Sequence, residues 1–400
     1  MHDVEAIVVG GGPAGSTFAT ALAQAGHRVL LLDKGRFPRH KACSDYLNPA
    51  GAHLLAEMGV IDDARQRGAS RMKGMVVHAP DGGRFVADYE RAEAGRAALG
   101  LTRFQLDALL LDRARAAGVT VHERAHVRDI LQTDGVVTGV VATIDGVREE
   151  LRARLVVGAD GRHSVVARSL GLSRPLTWPR KTGLSMHYRG VTGLDQYGEM
   201  HIARDVYAGL AILEDGLTNV TLVARTPDVQ SKNGSLEDFI TKSINTMPGI
   251  ATKLQGAERI GSVRGVGPMA CRSRRPSGDG YLLIGDAASF LDPFAGEGIH
   301  EALRGGLIGA RVASAALRSG DVSARALADY RTARRRAFSA KRAVSWLVQG
   351  FINAPAMMNY VTPRLADRGD VGMTISGVLG GFRPATEALS PRFLAQMLRP

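Results

Sequence analysis

The 400-residue sequence predicts an α/β fold: a parallel-sheet domain assembled from separated chain segments, an antiparallel β-rich domain interleaved between them, and a helical C-terminal region. Three observations carry this reading. Glu5 to Asp33 reads as strand, glycine turn, helix and strand. Two later segments, "VVGADGRHSVVAR" (Val156 to Arg168) and "YLLIGDAASFLDPFAGEGI" (Tyr281 to Ile299), each end an apolar strand in a Gly/Asp turn. Residues 177–262 alternate short apolar strands with turns.

In the first unit, "AIVVG" and "RVLLLD" are continuous Val and Leu runs, which suit a parallel sheet covered on both faces. The intervening "STFATALAQAG" has helical character, and Gly26 can end it in a left-handed conformation. "PAGAHLLAEMGV" then predicts a helix starting near Pro49. "GMVVHAPDGGRFVADY" reads as two strands around Asp81-Gly82-Gly83, an excursion into a second sheet. Helical periodicity returns in "TRFQLDALLLDRARAAG", followed by the strand "VTVHE" and a hairpin within "GVVTGVVATIDGVREELRARLVVGADG". Strands such as "TGLSMHYRG", "AGLAIL" and "NVTLVA", with the helix "SLEDFITKSIN", predict an antiparallel substrate-facing sheet. The expected boundaries are 1–72, 98–176 and 263–330 for the discontinuous nucleotide-binding domain, 73–97 and 177–262 for the second domain, and 331–400 for the helical region.

Composition narrows the function classes. With 48 glycines and 45% hydrophobic residues, the chain suits an ordered α/β enzyme and not a disordered one. The formal net charge is +12, and the densest basic run is "RTARRRAFSAKR" (Arg331 to Arg342). That run reads as the solvated face of a helix, with attraction to a membrane surface as the sharper alternative. No nucleic-acid motif accompanies the charge, so nucleic acid is disfavoured. Two cysteines are too few for a disulfide framework or a cysteine zinc site, no metal site is assigned, and a reducing, cytoplasmic setting is expected. The N-terminus reads as a strand and not as a signal peptide, and the absence of an 18-residue uncharged apolar stretch predicts no membrane span.

Gly10, Gly12 and Gly15 form G-x-G-x-x-G between the first strand and helix, and Asp33 ends the second strand. The first glycine permits a sharp turn, the second lets backbone approach a pyrophosphate, and the third allows close helix-strand packing. The helix N-terminus favours the ligand's negative charge, and Asp33 is placed to accept from ribose hydroxyls. Together these features predict a Rossmann-like dinucleotide site. No second complete glycine motif provides for a resident nicotinamide nucleotide.

With its three motifs in this order, the sequence resembles FAD-dependent oxidoreductases of the aromatic-hydroxylase superfamily, most closely the geranylgeranyl reductase-related branch, over roughly residues 4 to 320. The resemblance implies a Rossmann-like FAD-binding domain. It places Asp286 at the flavin ribitol or pyrophosphate, Asp160 and Gly161 in a turn supporting FAD, and Arg103, with Gln105 beside it, at the FAD phosphates. Val127 would meet adenine through its backbone. Pro293, Gly296, Glu297 and Gly298 would face the isoalloxazine, where backbone amides stabilise negative charge. Lys34, Arg39 and Lys41 complete the cofactor-binding set. The plainer readings stay open: Asp160 and Asp286 as helix caps, Arg103 as a surface salt-bridge residue, Glu297 as a local acceptor.

In that branch the cysteine following a basic Pro-Arg-x-Lys stretch lies near flavin and substrate, which makes Cys43 of "PRHKACSDYLNP" the candidate catalytic residue. It would shape the pocket or assist proton delivery, with Arg39 and Lys41 able to lower its pKa; the alternative is packing. Ser44 stands where glycine is common, and "YAGLAILEDGLTNVTLV" lacks the Trp-x-Phe-Pro type of strand, so the resemblance does not extend to geranylgeranyl specificity. The expected activity is an FAD oxidoreductase acting on a hydrophobic small molecule, isoprenoid or polyketide-like, with double-bond reduction favoured. The alternatives are an NAD(P)H- and oxygen-dependent hydroxylase, a halogenase and a non-catalytic redox sensor. NAD(P)H is the expected transient electron donor, a separate reductase or peripheral membrane contact being further expected partners. Tyr188, Met186 and Tyr207 read as core residues.

Overall fold

The computed structural model describes residues 4–231 and 235–398. Its central sheet has six strands in the order Ser277–Gly278, Tyr281–Leu283, Leu155–Gly158, Ala6–Val9, Val29–Leu32 and Thr120–His122, all parallel except the first pair. Alternation along Ala6–Val9 shows why the run is apolar throughout. Ala6 and Val8 pack with Phe18, Leu22 and Ala313 on one face, while Ile7 and Val9 pack with Val127, Ile130 and Val140 on the other. Helices Pro13–Gln24, Arg103–Ala116 and Gly298–Ser319 supply the first layer. The second layer is a three-stranded antiparallel sheet. Its strand His126–Thr133 lies beyond the expected hairpin of Val136–Ile144 and Val147–Arg152.

The second sheet has seven strands and draws on two separated segments. Gly74–His78 and Arg84–Asp88 form the expected hairpin and lie at its edge. They join it through a parallel pairing, His78 opposite His201, and not through the antiparallel pairing expected throughout. All other neighbours in this sheet are antiparallel. Helix Leu236–Asn245, opened by a reciprocal Ser235/Asp238 capping box, covers it through Ile240 and Ile244.

The C-terminal region is helical, from Ala328–Ile352 to Pro391–Leu398, and packs around Val344, Val361, Val371 and Phe393. Arg399 and Pro400 of the expected terminal helix lie outside the described residues. Helix Ala328–Ile352 corrects the expectation of a simple solvated cationic face. Arg331, Arg335 and Arg336 are exposed, but Arg334 is buried and donates to Ser289 Oγ at 2.7 Å. Lys341 turns inward to Glu297, with its Nζ 2.7 and 2.8 Å from the two carboxylate oxygens. The basic run is therefore split between solvent and the loop ahead of the Gly298–Ser319 helix.

Candidate cofactor and substrate site

The glycine turn is built by contact. Gly10 has φ +106°, and a Cβ there would lie 2.6 Å from Ala159 O. A Cβ on Gly15 would lie 1.8 Å from Gly10 O, so helix and strand approach at a distance no side chain permits. Gly12 caps the N-terminus of Pro13–Gln24, and its Cβ direction is open, bounded by Arg103 Nη2 at 3.7 Å and Arg39 Nη2 at 3.9 Å. Backbone amides, a helix N-terminus and two guanidiniums thus converge on one anion-sized space. Asp33 ties the turn down, accepting from Gly11 N and Gly35 N at 2.7 Å each.

The cations divide by position. Arg103 is buried and doubly paired with Asp107, its Nη2 2.7 Å from Oδ2, which corrects the surface salt-bridge reading. Arg39 links Asp107 at 3.0 Å to Asp33 at 3.5 Å. Lys41 Nζ lies 3.6 Å from the Cβ position of Gly161, across the same cleft. Lys34 is exposed, and Gln105 Oε1 is turned to Arg67 Nη1 at 3.3 Å. Val127 sits in the core of the second layer, its backbone opposite Ala142 at a bulge.

Asp160 Oδ2 accepts from Val165 N at 2.6 Å, so it serves the following helix start, while its buried Oδ1 has no hydrogen-bond partner. Burial raises its pKa. Asp286 is likewise raised by burial, although Lys41, Arg103 and Arg162 all oppose that shift. Both acids flank the cleft at strand ends in Gly/Asp turns, as Gly161 (φ +80°) and Gly285 (φ +57°) show.

Next to this cleft lies a partly open cavity lined chiefly by apolar groups, Met75, Val77, Met200, Leu210 and Ala211 among them. The loop Pro293, Phe294, Ala295 and Gly296 forms one wall. Gly296 is required there, because a Cβ would meet Tyr46 Cε1 at 2.6 Å. Polar groups are few: Ser44, and Tyr46 with Tyr89, whose hydroxyls are 2.8 Å apart. Burial raises both phenol pKa values, Tyr46 well above the usual range, so both stay protonated at neutral pH.

A profile of the FAD binding domain matches residues 3–345. The chain belongs to this FAD-binding family. Digeranylgeranylglycerophospholipid reductase 2 of Methanopyrus kandleri is 32% identical over 82% of the chain and 81% of that protein. Flavin-dependent halogenase armH1 of Armillaria mellea is 27% identical over 78% of the chain and 65% of that protein. The structure of flavin-dependent brominase Bmp2 superposes with a TM-score of 0.84 at 19% identity, covering 95% of this chain and 94% of that one. The protein is an FAD-dependent oxidoreductase.

The cleft of this flavoprotein suits FAD on its own geometry. The open face of Gly12 between two guanidiniums suits a pyrophosphate, and the orphaned Asp160 Oδ1 awaits a donor. The Glu297 side chain is a local acceptor, the plainer of its two expected readings. Its carboxylate is held by Lys341 and by His300 Nδ1 at 2.8 Å, so its side chain braces the loop against two helices. Those partners keep its pKa low even though burial acts to raise it.

Cys43 is partly buried against the apolar cluster that contains Leu47 and Ile299, between cleft and second sheet. Burial pushes its thiol pKa up, with Arg103 beside it pulling the other way. Activation by Arg39 and Lys41 is thereby corrected: Arg39 is committed to two carboxylates, and desolvation decides the shift. The carbonyl of Cys43 accepts from Ser185 Oγ at 2.7 Å and from Asn219 Nδ2 at 2.8 Å. Asp45, with φ 54°, accepts from Arg103 N at 3.0 Å and from Asn219 Nδ2 at 2.8 Å. Asp45, His187 and Asn219 carry no sequence signal of their own, and Lys341 reads only as one of the charges in the Arg331–Arg342 run.

Among the described residues, His78, Glu199 and His201 bring imidazole and carboxylate atoms together. The two rings stack at 4.1 Å with planes 8° apart, so their in-plane lone pairs do not converge on a shared point. His201 Nε2 lies 2.7 Å from one Glu199 oxygen, and Lys253 Nζ lies 3.2 Å from the other. This is an ion and hydrogen-bond network between sheet and helix. Tyr207 and Met186 are core residues; Tyr207 OH donates to Asp292 Oδ1 at 2.6 Å, and Tyr188 packs at the edge of the second-sheet core.

Proposed function

We propose that the enzyme reduces a carbon–carbon double bond in a hydrophobic small molecule, isoprenoid or polyketide-like. The observation that carries this reading is the apolar cavity walled by the Pro293–Gly296 loop. No acidic or basic side chain lines it, so a charged or strongly polar substrate would lose hydration without compensation there. Bound FAD would supply the two-electron chemistry. Tyr46 and Tyr89 are protonated phenols at the cavity wall, able to donate a hydrogen bond to substrate, and Cys43 shapes the loop beside them. The apolar walls exclude water from the reacting bond. The similarity to an archaeal lipid reductase supports the same choice. NAD(P)H, directly or through a separate reductase, is the proposed electron source, and a cytoplasmic setting is proposed with it.

Halogenation is the second reading, favoured by the similarity to armH1 and by the Bmp2 fold. One experiment separates these chemistries and hydroxylation. The FAD-loaded enzyme is reduced without oxygen, mixed with a polyprenyl substrate, and the products are weighed by mass spectrometry before and after oxygen and halide are added. A gain of two hydrogens without oxygen supports reduction. Products appearing only with oxygen, or only with oxygen and halide, would replace it with hydroxylation or halogenation.

A further inference from the structure

We infer that the stacked pair Trp178 and Trp346, with the arginines around it, is a docking surface for an anionic phospholipid bilayer. These are the two tryptophans of the chain, 168 residues apart in sequence, yet their rings stack with centroids 5.4 Å apart and planes 21° apart. Both are large apolar side chains left in solvent, Trp178 at 49% and Trp346 at 40% exposure. An indole pair contributes little by standing in water, whereas the indole ring, apolar with one N–H donor, suits the headgroup boundary of a bilayer.

Charge identifies the occupant. Trp178 is flanked by exposed Arg174 and Arg180. Trp346 lies on the Ala328–Ile352 helix eleven residues after Arg335 and fifteen after Arg331, both exposed. At about 100° per residue these spacings return to within roughly 20° and 60° of Trp346, so that face presents arginines and an indole together. The chain's net charge of +12 adds a long-range attraction of the same sign. No described helix is long and apolar enough to cross a membrane, so this contact is a surface one. Its purpose rests on the proposed hydrophobic substrate, which partitions into lipid; the surface itself does not.

Because both tryptophans lie in the patch, intrinsic fluorescence reports on it directly. The FAD-loaded full chain is titrated with phosphatidylcholine vesicles containing or lacking phosphatidylglycerol, some with brominated acyl chains. Expected are a blue shift and bromine quenching with anionic vesicles, reversed by high salt. Arg335→Glu should weaken binding about fivefold or more. Trp178→Ala/Trp346→Ala should abolish co-sedimentation while bound flavin shows that the fold is kept. No shift with saturating anionic vesicles overturns the inference. So does sedimentation that survives the double variant, or a Trp-dependent dimer in size-exclusion chromatography without lipid. Failure of substrate turnover with vesicle binding intact would count against the proposed function alone.

Discussion

Asp45 Oδ2 lies 2.7 Å from His187 Nε2, a buried contact spanning 142 residues that joins the cofactor loop to the second sheet. The other oxygen of Asp45 holds Arg103 N, and so fixes the start of the helix whose arginine faces the Gly12 cleft. One carboxylate thereby sets the relation between the glycine-turn cleft and the second sheet. Asp45→Ala would leave His187 and the Arg103 amide without this acceptor and would take one of the acceptors of Asn219 Nδ2. We expect a loss of about 1–3 kcal/mol of stability, read from denaturant unfolding. Asp45→Asn should lose less but should still weaken FAD retention.

The glycine-turn residues make the second prediction. Gly12→Val places methyl groups in the space between Arg39 and Arg103, so the variant should fold without FAD, as flavin absorbance after purification would show. Asp286→Ala should weaken occupancy by about 1–3 kcal/mol, because it removes a buried carboxylate at the strand end that flanks the cleft. Full flavin occupancy in folded Gly12→Val would move the pyrophosphate elsewhere.

Cys43 separates reactivity from position. Burial holds its thiol above the ordinary pKa, so the thiolate fraction at neutral pH is small and alkylation by iodoacetamide should be slow until the pH is well into the alkaline range. Cys43→Ala should lower turnover while leaving FAD bound, through the packing of the loop against the cluster that contains Leu47 and Ile299. Rapid labelling at pH 7, followed mass-spectrometrically, would contradict the burial.

The contrast between these sites explains what could be read from the chain. Gly10, Gly12, Gly15 and Asp33 act on one another within a single strand-turn-helix-strand unit, so their spacing alone carries the geometry. Asp45 acts on His187 and Asn219, and Glu297 on Lys341, across separations set by sheet register and helix packing. No local periodicity encodes such pairs. The Arg331–Arg342 run shows the same limit in reverse: its charges look alike in sequence, but helical phase turns Arg334 and Lys341 inward and leaves Arg335 in solvent.

The cavity offers a prediction on substrate range. Ala211 is buried in its wall, and Ala211→Phe adds a ring to this apolar space. FAD content should stay unchanged, while KM for long-chain substrates should rise more than for short ones. Equal losses across chain lengths would argue that the substrate lies outside this cavity.

His78 gives a pH dependence with a definite sign. Burial, first, and the neighbouring His201 lower its pKa from the usual 6.5 to about 4, outweighing Glu199. Lys253 and Arg84 push the same way. The folded state therefore keeps His78 neutral in a range where the unfolded chain binds a proton. Its contribution is complete above pH 6.5 and is lost as the pH falls toward 4, since acid then favours the unfolded form. Its partial exposure reduces the effect to roughly 2 kcal/mol. Urea unfolding at a series of pH values should show stability falling over this interval, and His78→Gln should flatten the fall. An identical slope in the variant would assign the acid sensitivity to other groups.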